Sequence, residues 1–203
     1  MNNKVIENHK KYLERKTLLK SFGYDIDKER EFVLDQAKPV SGRILEAGTG
    51  KGHFALALAK AGHSFVSFDI SAEEQRFAEL NIAHFGYQAQ VDLRIENGER
   101  TSFLNNSFDL IFSVNVLHHL NNPYRVIDEL IRIVSFQGRI VLTDFTDNGF
   151  KLMDKIHRLE GNSHHAGQVV FAEVESYLMK KKFLTKKAKS RYQWVLIAER
   201  GSV

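Results

Sequence analysis

Two carboxylates and three glycines are the residues through which this chain first declares a chemistry. Glu46 closes a short apolar run, Ile44-Leu45, and Gly48, Gly50 and Gly52 follow at alternate positions. A helix-forming stretch, Phe54 to Ala59, comes next. Strand, glycine turn and helix make the nucleotide-binding corner of an open α/β sheet. Glycine accepts positive φ and lets a ligand approach the main chain, and a helix start offers unpaired N–H groups. Asp69 ends a second apolar run, Ser64 to Phe68. An acid at the tip of a second strand can accept hydrogen bonds from both hydroxyls of a ribose, and Ile70 beside it is placed to pack on an adenine face.

Spacing separates the nucleotide sites that use such a corner. A phosphate-cradling loop ends Gly-Lys-Ser/Thr, but Lys51 is followed by Gly52. A dinucleotide loop places its third glycine three positions after the second; His53 stands there. What remains is acid-x-Gly-x-Gly-x-Gly, from Glu46 to Gly52. An acid at the strand end suits a cation and would repel a pyrophosphate. Asp69 is compatible with either cofactor type. A second phrase, Phe108-Asp109-Leu110-Ile111-Phe112-Ser113 followed by Leu117-His118-His119-Leu120, reads as a fourth strand with the loop and helix after it.

Together the two phrases resemble the class I S-adenosylmethionine-dependent methyltransferases, over residues 40–200. The resemblance implies that S-adenosyl-L-methionine sits on Glu46, Ala47, Gly48, Thr49, Gly50 and Gly52, with Glu46 near the amino-acid end of the cofactor through water. It places the ribose on Asp69, the adenine beside Ile70 and on the loop Asn97-Gly98-Glu99, and the methionine part beside Ser113 and Val114. Asn97 stands where the family often has an acid; its carbonyl can accept the same adenine N–H. Asn115 falls on the acceptor side. His118 and His119 are weak candidates for a general base, or they simply start the following helix. Asp144, at the end of the fifth strand, can contact substrate or cofactor, or be an ordinary polar strand end. Tyr24, His164 and His165 are further substrate candidates. Adjacent histidines seldom ligate one ion together, so no metal is expected.

The elements that must position these residues follow from periodicity and punctuation. Helices are expected over residues 1–20 and from an Asp27 N-cap to Ala37, then strand–helix alternation five times, with Ser71 to Glu74 as a capping box. Phe136-Gln137-Gly138 reads as a tight turn before a fifth strand at Arg139–Phe145, and 183–198 as a terminal strand pair. The expected architecture is a Rossmann-like, doubly wound seven-stranded α/β sheet with helices on both faces. It is mostly parallel, and by the resemblance its terminal strand is antiparallel. One domain over 1–203 is expected, with the 1–40 helices packed over the rim and 146–170 as a lid-like insertion.

The chain has 203 residues, net charge +4, 43% hydrophobic and 27% charged residues, and no cysteine. That composition is of a globular protein, and a cytoplasmic location is the expectation, with no membrane partner. Without cysteine, nucleic-acid C5-methylation and arsenic methylation as their families perform them are excluded. The Asp/Asn-Pro-Pro-Tyr signature of base-amine methylation is missing as well. Lysines crowd 180–191 without an acid among them; they are either a phosphate footprint or the guard of an edge strand. The reading is therefore an S-adenosylmethionine-dependent methyltransferase (EC 2.1.1.-) with a small-molecule acceptor. Two alternatives stay open: an RNA or protein methyltransferase using 180–191, and a cofactor-binding protein without transfer activity.

Overall fold

The computed structural model describes residues 3–161 and 170–201. Seven strands form one sheet: β1 Ile44–Ala47, β2 Phe65–Asp69, β3 Val91–Ile95, β4 Phe108–Val114, β5 Val134–Phe145, β6 Phe183–Lys189 and β7 Gln193–Arg200. Their spatial order is β3-β2-β1-β4-β5-β7-β6. The first five run parallel. β7 is antiparallel to both of its neighbours, β5 and β6. The order reverses between β1 and β4, and a crevice opens at the carboxyl ends of strands where that happens.

Seven helices surround the sheet among the described residues: α1 Asn3–Ser21, α2 Ile26–Gln36, α3 His53–Lys60, α4 Ala72–Phe85, α5 Pro123–Ile133, α6 Asp147–Leu159 and α7 Phe171–Lys180. One face buries Val33, Phe54, Leu58, Ile82 and Phe112 together. The other buries Ile111, Ile127, Leu130, Val174, Leu178 and Leu196. Each such side chain contributes roughly 1.5–3 kcal/mol by leaving water. A third cluster joins the N-terminal helices to α6 above the rim, through Leu19, Tyr24, Ile26, Met153, Ile156 and Tyr192. At the far end of the roof, α1 lies on α4, where Asn8 Nδ2 donates to Asn81 Oδ1 at 2.8 Å. The His9 and His84 rings stack there with centroids 3.5 Å apart.

Three local expectations are corrected. The N-cap of α2 is Asp25, whose carboxylate accepts from Lys28 N, while Asp27 pairs with Lys16 at 2.5 Å. Gly23, at φ +85°, ends α1 early enough for the earlier acid to take the cap. Helices follow β1, β2, β4 and β5, but residues 96–107 join β3 to β4 without one, so the alternation is one helix short. The turn at Phe136–Gly138 is a bulge inside β5. Val134 already pairs with Phe108, and pairing resumes at Leu110 with Arg139. Ser71, as expected, caps α4, its hydroxyl accepting from Glu74 N at 3.2 Å.

Candidate functional site

The glycine corner is built by close approach. Gly48, at φ +92°, turns the chain where a Cβ would stand 2.3 Å from Val116 Cγ2 in the loop after β4. Gly48 N and Thr49 N donate to Phe68 O at 2.8 and 2.9 Å, which ties the corner to β2. Gly50, at φ +50°, has nothing within 4 Å of where its Cβ would be. Its N–H donates to Asp69 Oδ2 at 2.8 Å, and Ser71 N donates to Asp69 Oδ1 at 2.9 Å. The second-strand acid is thus oriented by two backbone donors, with lone pairs remaining.

Glu46 lies beneath this corner and is buried. It accepts from Ser67 Oγ at 2.5 Å, and Ser67 Oγ lies 2.6 Å from Thr49 Oγ1. Burial pushes its carboxyl up to about 8, and Asp69 acts in the same direction; the Ser67 bond and Arg30 oppose them. Even with Arg30 acting on it, this acid is mostly protonated at neutral pH.

One cavity of about 630 Å³ collects these residues. Its wall includes Glu46, Ala47, Gly48, Thr49 and Gly50, then Asp69 and Ile70, then Asn97, Gly98 and Glu99, then Ser113, Val114 and Asn115. Asn97 Oδ1 accepts from Glu99 N at 2.9 Å, which fixes that loop. Ser113 Oγ is buried with no hydrogen-bond partner. Asn115 sits at φ +58°, a conformation that non-glycine residues hold when the surroundings over-determine it. Its Oδ1 accepts from Gln193 Nε2 at 2.5 Å.

The opposite wall comes from the roof and the β4–α5 loop: Tyr24, Arg30, Met153, His157, His118 and His119. His118 is buried and His119 exposed. His118 Nδ1 is 2.6 Å from Asp144 Oδ1, and His118 N donates to Asp144 Oδ2 at 3.1 Å.

Two sequence expectations are moved by the structure. Gly52 does not line the cavity. It is the N-cap of α3, at φ +80°, and a Cβ there would meet that of Ala78 at 2.9 Å, so its role is helix packing. Asp144 does not line the cavity either; it stands behind His118 and holds the ring. His164 and His165 lie outside the described residues. Among the described residues, no group of three or more His, Asp or Glu side chains is arranged to hold a metal ion. None of the lysines in 180–191 lines the cavity. Lys187 pairs with Glu175 at 2.5 Å and Lys181 with Asp128 at 2.9 Å, at and beside the edge strand β6.

Sequence reasoning missed Arg15, Arg30 and His53 on the wall. On α1 and α2 the arginines share helices with many other charges, so no spacing marks them as inward-facing.

This strand order with its antiparallel seventh strand, and a glycine corner facing an acid on β2, define the class I methyltransferase arrangement. The donor set fits S-adenosylmethionine. Space lies open beside Gly50, a carboxylate waits on the second strand, and the acid under the corner needs a cation to ionise. Residues 45–142 match the family model described as a methyltransferase domain. That match spans just under half of the chain, and the fold is that of the class I S-adenosylmethionine-dependent methyltransferases. It is similar to a ubiquinone/menaquinone biosynthesis C-methyltransferase of Geotalea daltonii, 27% identical over 140 residues, covering 68% of this chain and 60% of that protein. A ubiquinone biosynthesis O-methyltransferase of Dechloromonas aromatica is 29% identical over 127 residues, covering 62% and 54%. The chain thus spans less than two thirds of the length of either relative. A solved methyltransferase structure from Aquifex aeolicus superposes with a TM-score of 0.64 at 19% identity, covering 83% of this chain and 88% of that one.

Proposed function

We propose that the protein transfers a methyl group from S-adenosylmethionine to a small-molecule acceptor held beneath α1, α2 and α6. One observation carries this reading: the glycine corner with Asp69 and the wall made by Tyr24, Asn115 and His118 share a single cavity. When bound, the cofactor supplies an electrophilic methyl group on a sulfonium. The chain's own residues orient and enclose. Asp69 and Gly50 fix the ribose end, Glu46 compensates positive charge, and Ser113 and Asn115 border the path toward the acceptor. The roof excludes water, and alignment of donor and acceptor is the main contribution to rate.

His118 is the residue of this wall suited to take a proton from an acceptor hydroxyl. Asp144 holds Nδ1, so Nε2 is the nitrogen that works as base, with the carboxylate behind it steadying the charged ring. The similar C- and O-methyltransferases support a small acceptor that presents carbon or oxygen. The cytoplasmic location, the single domain over 1–203 and the lid role of 146–170 belong to this proposal.

Calorimetry with S-adenosylhomocysteine and NAD, followed by radiolabelled methyl transfer to quinol and phenol acceptors, tests the reading. Binding of S-adenosylhomocysteine without NAD is expected. Binding of NAD alone would overturn it.

A further inference from the structure

Three imidazoles and a phenol form one column beside the cavity. His84 of α4 stacks on His9 of α1, with centroids 3.5 Å apart and planes 11° from parallel. Tyr12 follows at 5.8 Å and 22°, and His53, in the first turn of α3, at a further 5.2 Å and 21°. The column runs from the contact of α1 with α4 to the cavity wall, which His53 lines. Phe85 stands edge-on to His84 and His9, at 5.0 and 5.4 Å.

The surroundings suit these rings only while they are neutral. The Nδ1 atoms of His9, His53 and His84 are buried without a hydrogen-bond partner. A neutral imidazole can bury Nδ1 as a lone pair. The charged ring makes both nitrogens donors, and a buried donor without an acceptor is costly. The charged groups facing the column are mostly cations. Lys16 of α1 lies 5.4 Å from the Tyr12 ring, and Lys60 of α3 lies 4.9 Å from the Phe85 ring. Lys51, ahead of α3, lies 5.8 Å from the ring of Phe77 on α4. Arg30 and Arg15 act on His53 from α2 and α1. The acid that acts on Tyr12 is Asp27 of α2, which pairs with Lys16 at 2.5 Å. The ion-paired histidines among the described residues are His118 and His157; His9, His53 and His84 have no carboxylate at that distance. Burial first, then His84 and Lys16, hold His9 below its ordinary 6.5. His53, pushed down to about 3 by burial and then by Arg30, Arg15, Lys51 and Lys16, stays neutral. The joint left to titrate is His9 on His84.

Beside that joint, Asn8 Nδ2 donates to Asn81 Oδ1 at 2.8 Å and to Phe77 O at 3.5 Å. Further along the same helix, Arg15 and Leu19 line the cavity. Movement of α1 away from α4 therefore withdraws part of the roof.

We propose that the His9–His84 stack is a proton-operated latch on the roof. With both rings neutral, α1 lies on α4 and the cavity is covered. A proton on either ring parts the stack and frees the N-terminal half of α1. Closure is unaffected above pH 6.5 and is lost as the pH falls through that value, because the open form takes up the proton more readily. The latch acts on the cover whatever the cavity holds.

The test uses the full chain, the double variant His9→Phe/His84→Phe, whose two rings cannot be charged, and each single variant. Hydrogen exchange of the α1 amides is read at pH 7.5 and 5.5, as protection relative to the intrinsic rate at each pH. In wild type, α1 protection should fall at pH 5.5 by up to about tenfold per imidazole, while β1 and β4 keep theirs. The fall should shrink in each single variant and vanish in the double variant. Release of S-adenosylhomocysteine from the loaded protein should quicken at pH 5.5 more in wild type than in the double variant. Should the double variant not fold, wild type decides alone: by NMR, the His9 and His84 ring resonances and the α1 amides must titrate with one midpoint. Unchanged α1 protection in wild type, a double variant that opens as wild type does, or α1 amides that titrate apart from both rings would each overturn the latch. If S-adenosylhomocysteine did not bind at all, the methyltransferase reading would fall, and exchange in the ligand-free protein would still decide the latch.

Discussion

Glu46 should give cofactor binding a distinctive pH dependence. Its carboxyl is pushed from 4.5 up to about 8 by burial, and its hydrogen bond from Ser67 only partly offsets this. At pH 7 such a group is about 90% protonated. A cationic cofactor selects the ionised form, so binding at pH 7 should release about 0.9 proton, at a penalty of about 1.4 kcal/mol for the ionisation. The sign follows: apparent affinity for S-adenosylmethionine rises with pH, by about tenfold between pH 7 and pH 9, and then levels. Calorimetry in buffers of different ionisation enthalpy reads the proton directly. Glu46→Gln should bind with a flatter pH profile and release correspondingly fewer protons. Other groups titrating on the ligand are common to both proteins and cancel in the comparison. Identical proton release by wild type and Glu46→Gln would refute the argument.

Four shorter predictions follow from the same geometry. Asp69→Ala should keep the fold and lose S-adenosylhomocysteine affinity by at least about 100-fold, the loss of two charge-assisted hydrogen bonds; calorimetry with circular dichroism separates the two effects. Gly48→Ala should destabilise by about 2–5 kcal/mol, from a left-handed backbone and overlap with Val116. Adding Val116→Ala should recover part of that loss in urea unfolding. The His9 ring is held below its ordinary 6.5 by burial, His84 and Lys16. A lowered folded-state pKa leaves stability unaffected above 6.5 and removes it as pH falls through that value. Urea midpoints at pH 7.5 and 5.5 should therefore diverge more in wild type than in His84→Phe. His118→Ala and Asp144→Asn should each lower kcat for a hydroxyl acceptor by roughly 10²- to 10⁴-fold, with S-adenosylhomocysteine binding retained; unchanged kcat in both would remove the base from the mechanism.

The cofactor half of the cavity was legible because it is written in contiguous residues. Glu46 to Gly50, Asp69 and Ser113 to Asn115 each lie at a strand's carboxyl end, and strand ends are readable from hydrophobic runs. The roof half was legible only in part: Tyr24 and the packing of the 1–40 helices over the rim were expected, but Arg30 was not. Arg30 reaches the wall because α2 folds back over a strand more than a hundred residues distant, as its bond to Gln193 shows. Helical periodicity says which face is apolar, and it does not say that a charge at its margin will be enclosed. Asp144 was readable as a strand-end acid, but its partner His118 is 26 residues away and in another loop, so its supporting position needed coordinates. Gly52 was misassigned for a different reason: a glycine required by helix packing against Ala78 and one required by a ligand leave the same letter.

The roof's fastenings lie far down the chain. Asn8 bonds to Asn81, and Arg15 pairs with Glu160, partners 73 and 145 positions later. During synthesis α1 and α2 emerge well before α4, and long before α6. The α1–α4 fastening is thus available before β4 is made, whereas the α6 side of the cover can settle only when residue 160 has left the ribosome. Contacts of such long reach form late. For the cell, this means a nascent chain that displays its cofactor corner openly before it can enclose an acceptor.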